Sequence, residues 1–244
     1  MKQSVFISIL MVVAFVVAFA IYEYLLPDFI RDGGYLVVAL VALTIMVTTF
    51  IVERLLSLRK AQGKESLTTF LRAVQKAINE KDINGAIDAC DRQRGSCANI
   101  IRTGLERYKI VSESGDVKTQ NEVMEEVQHS IEEAMMLEVP LLERNLVALS
   151  TIASVSTMVG LLGTVLGMIR SFQAMARAGS PDAIQLSLGI SEALINTAGG
   201  LIAAIAGILA YNYFTTKVDN FTYMIDEASY SIVQSLIIRQ PKKK

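Results

Sequence analysis

The chain has 244 residues, of which 52% are hydrophobic and only 19% charged, with no Trp. Soluble domains carry roughly a quarter of their residues as charges, so this balance excludes an ordinary soluble fold. A net charge of −1 gives no basis for nucleic-acid binding, and Cys90, Cys97 and the single histidine His129 do not make a four-ligand zinc set. No metal and no cofactor is expected.

Four charge-poor stretches, 4–22, 33–52, 145–169 and 193–216, each reach or approach the roughly 20 residues a spanning helix needs. The expected fold is therefore all-α: a polytopic membrane protein whose long helices extend into a cytoplasmic helical domain. The first stretch reads as an uncleaved spanning helix rather than a signal peptide. It is longer than the usual 7–15-residue apolar core, and no small-x-small cleavage site precedes Pro27. Basic residues collect on the cytoplasmic side. Arg54, Arg59, Lys60 and Lys64 follow the second stretch, and Lys217, Arg239 and 242–244 follow the fourth. Only Arg31 stands between the first two, against Glu23, Asp28 and Asp32, whereas Arg170 and Arg177 in the later short loop weigh the other way. Both termini and the middle segment are expected in the cytoplasm, with domains at 1–52, 53–144, 145–216 and 217–244.

In the middle segment Leu67, Phe70, Leu71, Val74, Ala77 and Ile78 repeat at helical spacing behind Ser66, a suitable N-cap. Ile83, Ala86, Ile87 and Cys90 predict a shorter helix with Cys90 as core filler. Ile101, Leu105 and Tyr108 continue the pattern until 112–116 break it. From 117 the chain turns Glu-rich around an apolar seam of Val123, Val127, Ile131 and Met135. Pro140 is the one strong breaker before the third spanning stretch. A helix over 118–176 would be roughly 90 Å long at 1.5 Å per residue, kinked at Pro140. Its glutamates form either an acidic vestibule that gathers cations or a solvated face with structural ion pairs. Val218, Phe221, Ile225, Ala228, Ile232 and Leu236 carry an amphipathic helix on beyond the fourth stretch.

Gly160, Gly163, Thr164 and Gly167 fall on one stripe of the third spanning helix, extended by Thr157 and Ser156. Such a stripe lets helices approach closely in lipid; it serves either packing alone or a polar interior lined by Thr164. The fourth helix offers Ser191, Glu192, Asn196 and Thr197, then Gly199, Gly200, Ala203, Ala204 and Gly207. Polar side chains at membrane depth are costly and usually face a bundle interior or a wet cavity. Glu192 lies near the boundary, where snorkelling or loop anchoring is equally open.

These residues resemble a known family. The run from Gly160 to Gly167 is similar to the GLFGTVxG signature of ExbB and TolQ, and that from Gly189 through Glu192 and Thr197 to Leu201 is similar to their GIxEALxxTAxGL signature. Ala203, Ala204, Ile205, Tyr211 and Asn212 continue the match over about 60 residues. Thr157 and Ala206 stand where the family commonly has Pro, and the first spanning helix has no counterpart in the three-span ExbB pattern. The resemblance to the ExbB/TolQ/MotA proton-channel motor subunits, nearest to ExbB, implies a homopentamer in the bacterial inner membrane whose third and fourth helices form a pore. It implies ExbD/TolR-like single-span partners in that pore, supplying a proton-binding aspartate, and a TonB- or TolA-like energy transducer. Carried over by position, Thr164, Thr197 and Asn196 line the ion path, and Glu192 lines it at its periplasmic end, which it guards. Gly160, Gly163, Gly167, Gly199 and Gly200 pack helices. The alternatives are a MotA-like or gliding-motor stator subunit and a non-conducting scaffold. No Ser/His/Asp, metal-ligand or phosphate-loop constellation suggests an enzyme.

Overall fold

The computed structural model describes residues 3–113, 120–177 and 183–237. Among them the regular elements are all helices: α1 (Gln3–Tyr24), α2 (Asp28–Arg31), α3 (Leu36–Gln62), α4 (Leu67–Asn79), α5 (Ile83–Gln93), α6 (Ser96–Glu113), α7 (Gln120–Glu143), α8 (Leu146–Arg177) and α9 (Ala183–Ile237). Four apolar segments, in α1, α3, α8 and α9, are long enough to cross a membrane. The expected all-α fold with four spanning helices is what forms. The basic tail, Arg239 and 242–244, lies outside the described residues, as does most of the expected break at 112–116.

The described residues divide into two compact units, one holding those up to Glu53 with those of 145–214, the other those of 54–144 with 215–237. In the first unit α1 is buried chiefly at Ala14 and Ala18, one turn apart, while Val12, Phe15, Val16 and Phe19 stay exposed. A helix touching its neighbours along so narrow a seam leaves the rest of its apolar surface to hydrocarbon. The Arg31 guanidinium turns back to donate to Tyr22 O (2.8 Å) and to Glu23 O, satisfying carbonyls left free at the end of α1. In α3, Thr44, Thr48 and Thr49 each donate to the carbonyl four residues back (2.9, 2.8 and 2.8 Å). Their hydroxyls thus need no outside partner at membrane depth.

The second unit is an ordinary amphipathic assembly. Ser66 caps α4 by accepting from Thr69 N, and Phe70, Val74 and Ile78 bury one face. Asp82 caps α5 through Gly85 N (2.8 Å). Cys90 and Cys97 are buried free thiols, and desolvation pushes both up to about 12. Gly104 of α6 lets α7 approach closely, since a Cβ there would lie 2.6 Å from Ile131 Cγ1. The Glu-rich face of α7 carries ion pairs such as Arg107–Glu126 at 2.9 Å. On α9, Val218, Phe221, Ile225, Ala228, Ile232 and Leu236 are all buried.

The long helix expected over 118–176 is instead two helices. Pro140 sits inside α7, which continues through it, and the chain breaks at Asn145, whose φ is +65°. Asn tolerates the left-handed region better than most residues. Here its side-chain amide donates to Glu53 Oε2 (3.3 Å), while its carbonyl accepts from Leu149 N to start α8. Pro140 withholds the hydrogen bond that Met136 O would accept, yet α7 continues past it to Glu143.

Candidate functional site

The site is built where α8 and α9 run antiparallel with their backbones in contact. A Cβ added to Gly200 would lie 2.6 Å from Ser156 O and 2.8 Å from Gly160 Cα; one on Gly167 would lie 2.7 Å from Gly189 O. Only glycine allows these approaches. Gly199, one residue away, faces α3 instead, with Leu40 Cδ1 3.3 Å from where its Cβ would be. Adjacent glycines thus serve two interfaces of one helix.

At this crossing the hydroxyls of Thr164 and Thr197 meet at 2.7 Å. Both also reach Gly160 O, at 3.3 and 3.4 Å. Two hydroxyls and a carbonyl gather three oxygens at one point, and each hydroxyl both donates and accepts. Such a group can relay a proton or offer hard oxygen ligands to a cation. It holds no titrating group of its own: α8 contains no carboxylate, and α9 has none between Glu192 and Asp219.

Glu192 lies toward one end of this arrangement and is ion-paired with Arg170. The Glu192 side chain is 14% exposed and that of Arg170 61%, so the pair sits at the rim. A Cβ on Gly34, whose φ is +73°, would stand 3.0 Å from Glu192 Oε1, so the turn leading into α3 abuts the carboxylate. Asp32, Arg170, Ser171, Gly189 and Glu192 border a cavity of about 270 Å³.

Asn196, expected to line the ion path, is 1% exposed and donates through Nδ2 to Gly33 O (2.8 Å). Its Oδ1 is buried without a hydrogen-bond partner among the described residues. The structure therefore gives this amide to the α3 turn, while Gly163 packs against its Cβ. Where the family commonly has Pro, α8 runs through Thr157, whose hydroxyl donates to Ala153 O (3.4 Å), and α9 runs unbroken through Ala206. Sequence reasoning missed Arg170 as the partner of Glu192 and Gly160 O as the third oxygen. Among the described residues no group of three or more His, Cys, Asp or Glu is placed to hold a metal.

Residues 92–227, more than half of the chain and including the Thr164–Thr197 and Arg170–Glu192 pairs, match the family model described as the MotA/TolQ/ExbB proton channel family. The chain belongs to this family. Among MotA/TolQ/ExbB relatives, the Tol-Pal system protein TolQ of Pseudomonas aeruginosa is 35% identical over 158 residues, covering 60% of this chain and 68% of that protein. TolQ of Haemophilus influenzae is 43% identical over 86 residues, 35% of this chain and 38% of the relative. The biopolymer transport protein ExbB of Salmonella typhimurium is 34% identical over 85 residues, 35% of each. The chain thus spans well under two thirds of the latter two relatives. Family membership and four apolar helices together make this a multi-pass membrane protein.

Proposed function

We propose that the chain is an ExbB-like subunit of an inner-membrane ion-channel motor that converts proton-motive force into mechanical work for transport across the outer membrane. The observation that carries this reading is the Thr164–Thr197 hydroxyl contact at 2.7 Å, set on two spanning helices with no carboxylate at that depth. A proton path needs a group that binds and releases the proton, and this chain offers only hydroxyls there. An ExbD/TolR-like single-span partner inside a homopentamer would bring the missing aspartate. Each proton admitted would release about 2.3 kcal/mol per 100 mV of potential. Repeated passage of the aspartate past five threonine sites would turn the partner stepwise.

Thr164 and Thr197 line the path in this reading, Glu192 and its Arg170 partner guard the periplasmic end, and Asn196 holds α9 to the α3 turn. Both termini lie in the cytoplasm. Relatives named TolQ and ExbB support a TolA-like and a TonB-like client equally. The chain acts as a channel subunit, not an enzyme.

The glycine contacts at Gly160 and Gly200 also suit a non-conducting scaffold. Reconstitution with and without a co-purified single-span partner, with proton flux followed under an imposed potential, separates the two. Partner-dependent flux lost in Thr164→Val and Thr197→Val supports the motor. Absence of flux with a bound partner present sinks it and leaves the scaffold.

A further inference from the structure

Away from the threonine pair, the second unit contains a cavity of about 520 Å³ lined by Lys60, Lys64 and Arg94. All three are exposed, and among the described residues none has a carboxylate partner or a side-chain hydrogen bond. The one carboxylate on the cavity wall, Glu138, is occupied by Asn99 Nδ2 at 2.8 Å. Like charges gathered in a concave site raise one another's energy and attract an anion.

The frame that brings them together is fixed before any ligand arrives. Buried Gln93 donates through Nε2 to Gln62 O (3.1 Å) and Glu65 O (2.9 Å), and its Oε1 accepts from Glu65 N (3.0 Å). Lys64 N donates to Gln93 O (3.0 Å), so the segment after α3 is laced to the end of α5. Arg94 itself is held at φ +54°, a conformation that non-glycine residues adopt at a cost and that clusters at functional sites. A Cβ on the next residue, Gly95, would lie 2.5 Å from Ala61 O, so the two segments close on each other only because that residue is glycine.

We propose that this cavity binds a phosphate-bearing anion, a role independent of the ion path. Two ammonium groups and a guanidinium on one cavity wall supply three positive charges and many N–H donors, which suits a multiply charged phosphate better than a singly charged carboxylate. The volume leaves room for the organic group that a phosphate ester carries. Two sources share this chemistry: an anionic phospholipid headgroup, since Lys60 belongs to the same helix as the 36–52 apolar stretch, and a soluble phosphate.

The test uses the purified full chain and the variant Lys60→Gln/Lys64→Gln/Arg94→Gly, the glycine chosen because it adopts φ +54° with ψ 160° without strain. One arm measures thermal stabilisation by inorganic phosphate against chloride at equal ionic strength. The other counts lipids retained in native mass spectra after exposure to phosphatidylglycerol or phosphatidylcholine. We expect the variant to lose at least tenfold in phosphate affinity or to lose selective phosphatidylglycerol retention, with Arg72→Gln/Lys76→Gln, outside the cavity, unchanged. Phosphatidylglycerol retention assigns the site to lipid, and phosphate stabilisation alone assigns it to a soluble ligand. Equal behaviour of wild type and variant in both arms overturns the proposal. If the triple variant does not fold, Lys60→Gln and Lys64→Gln singly, at exposed positions, decide it by the same criterion with an expected loss of about threefold each.

Discussion

Thr164 and Thr197 share one hydrogen bond and one acceptor, Gly160 O, so their contributions should not add. Valine keeps the shape and removes the hydroxyl. Each single Thr→Val variant should lose at least tenfold in partner-dependent proton flux, and the double variant should be no worse than the more impaired single. Thermal stability should move by only about 1 kcal/mol, since one partly exposed hydrogen bond is removed. The adjacent glycines make a second test by unfolding in detergent. Gly200→Ala sets a methyl 2.6 Å from a carbonyl and 2.8 Å from a Cα, both backbone atoms, and should cost about 1–3 kcal/mol. Gly199→Ala meets only the flexible end of Leu40 and should cost well under half of that. The glycine and threonine stripe was legible because small residues at helical spacing identify the contact face without any structure. The Arg170–Glu192 pair was legible too, though it was passed over: in antiparallel helices Arg170 lies six residues beyond Thr164 and Glu192 five before Thr197, which brings them to one level. Counting Arg170 only as a topology signal hid its partner. Nothing in the sequence indicates that Asn196 reaches Gly33 O, because that acceptor is a backbone atom 163 residues away.

Elements were read well where periodicity decided them and poorly where one residue's backbone did. The buried faces of α4 and of the end of α9 follow from apolar spacing, whereas in α5 Ala86 and Cys90 are buried as expected but Ile83 and Ile87 are half-buried and Ala89 and Gln93 are buried instead. The break between α7 and α8 does not follow from spacing, since proline is the loudest helix breaker in sequence and Asn145 carries no comparable signal. That assignment is testable by equilibrium unfolding. Asn145→Gly keeps access to φ +65° and should change stability by only a few tenths of a kcal/mol plus the loss of the Glu53 contact, whereas Asn145→Val should cost about 2 kcal/mol or more. The α5 and α6 cysteines give a chemical readout of the second unit's packing. Burial raises both thiols to about 12, so the folded protein keeps them protonated while the unfolded chain begins to ionise near 9. The unfolded state therefore binds fewer protons above pH 9, and this contribution to stability is full below pH 9 and falls as pH rises towards 12. Alkylation by iodoacetamide at pH 8 should be slow in the native protein and should go to completion in denaturant.

On the scale of the whole molecule, the direction in which the membrane is crossed decides which compartment delivers the proton. The turn before α3 and Glu192 lie together in the first unit, through Gly34, so both open to the same side. In the orientation proposed above that side is the periplasm, and the C-terminal end of the chain is cytoplasmic. Single cysteines at Phe29 and Tyr230, 65% and 67% exposed, test this directly with a membrane-impermeant maleimide. Cys90 and Cys97, each only 2% exposed and protonated at neutral pH, should contribute almost no background. In cells with a permeabilised outer membrane Phe29→Cys should label at once, while Tyr230→Cys should label only after the inner membrane is opened. The reverse pattern would place Glu192 on the cytoplasmic side. Protons driven inward would then meet the threonine pair before the carboxylate, and Glu192 would stand at the exit of the path instead of its entrance.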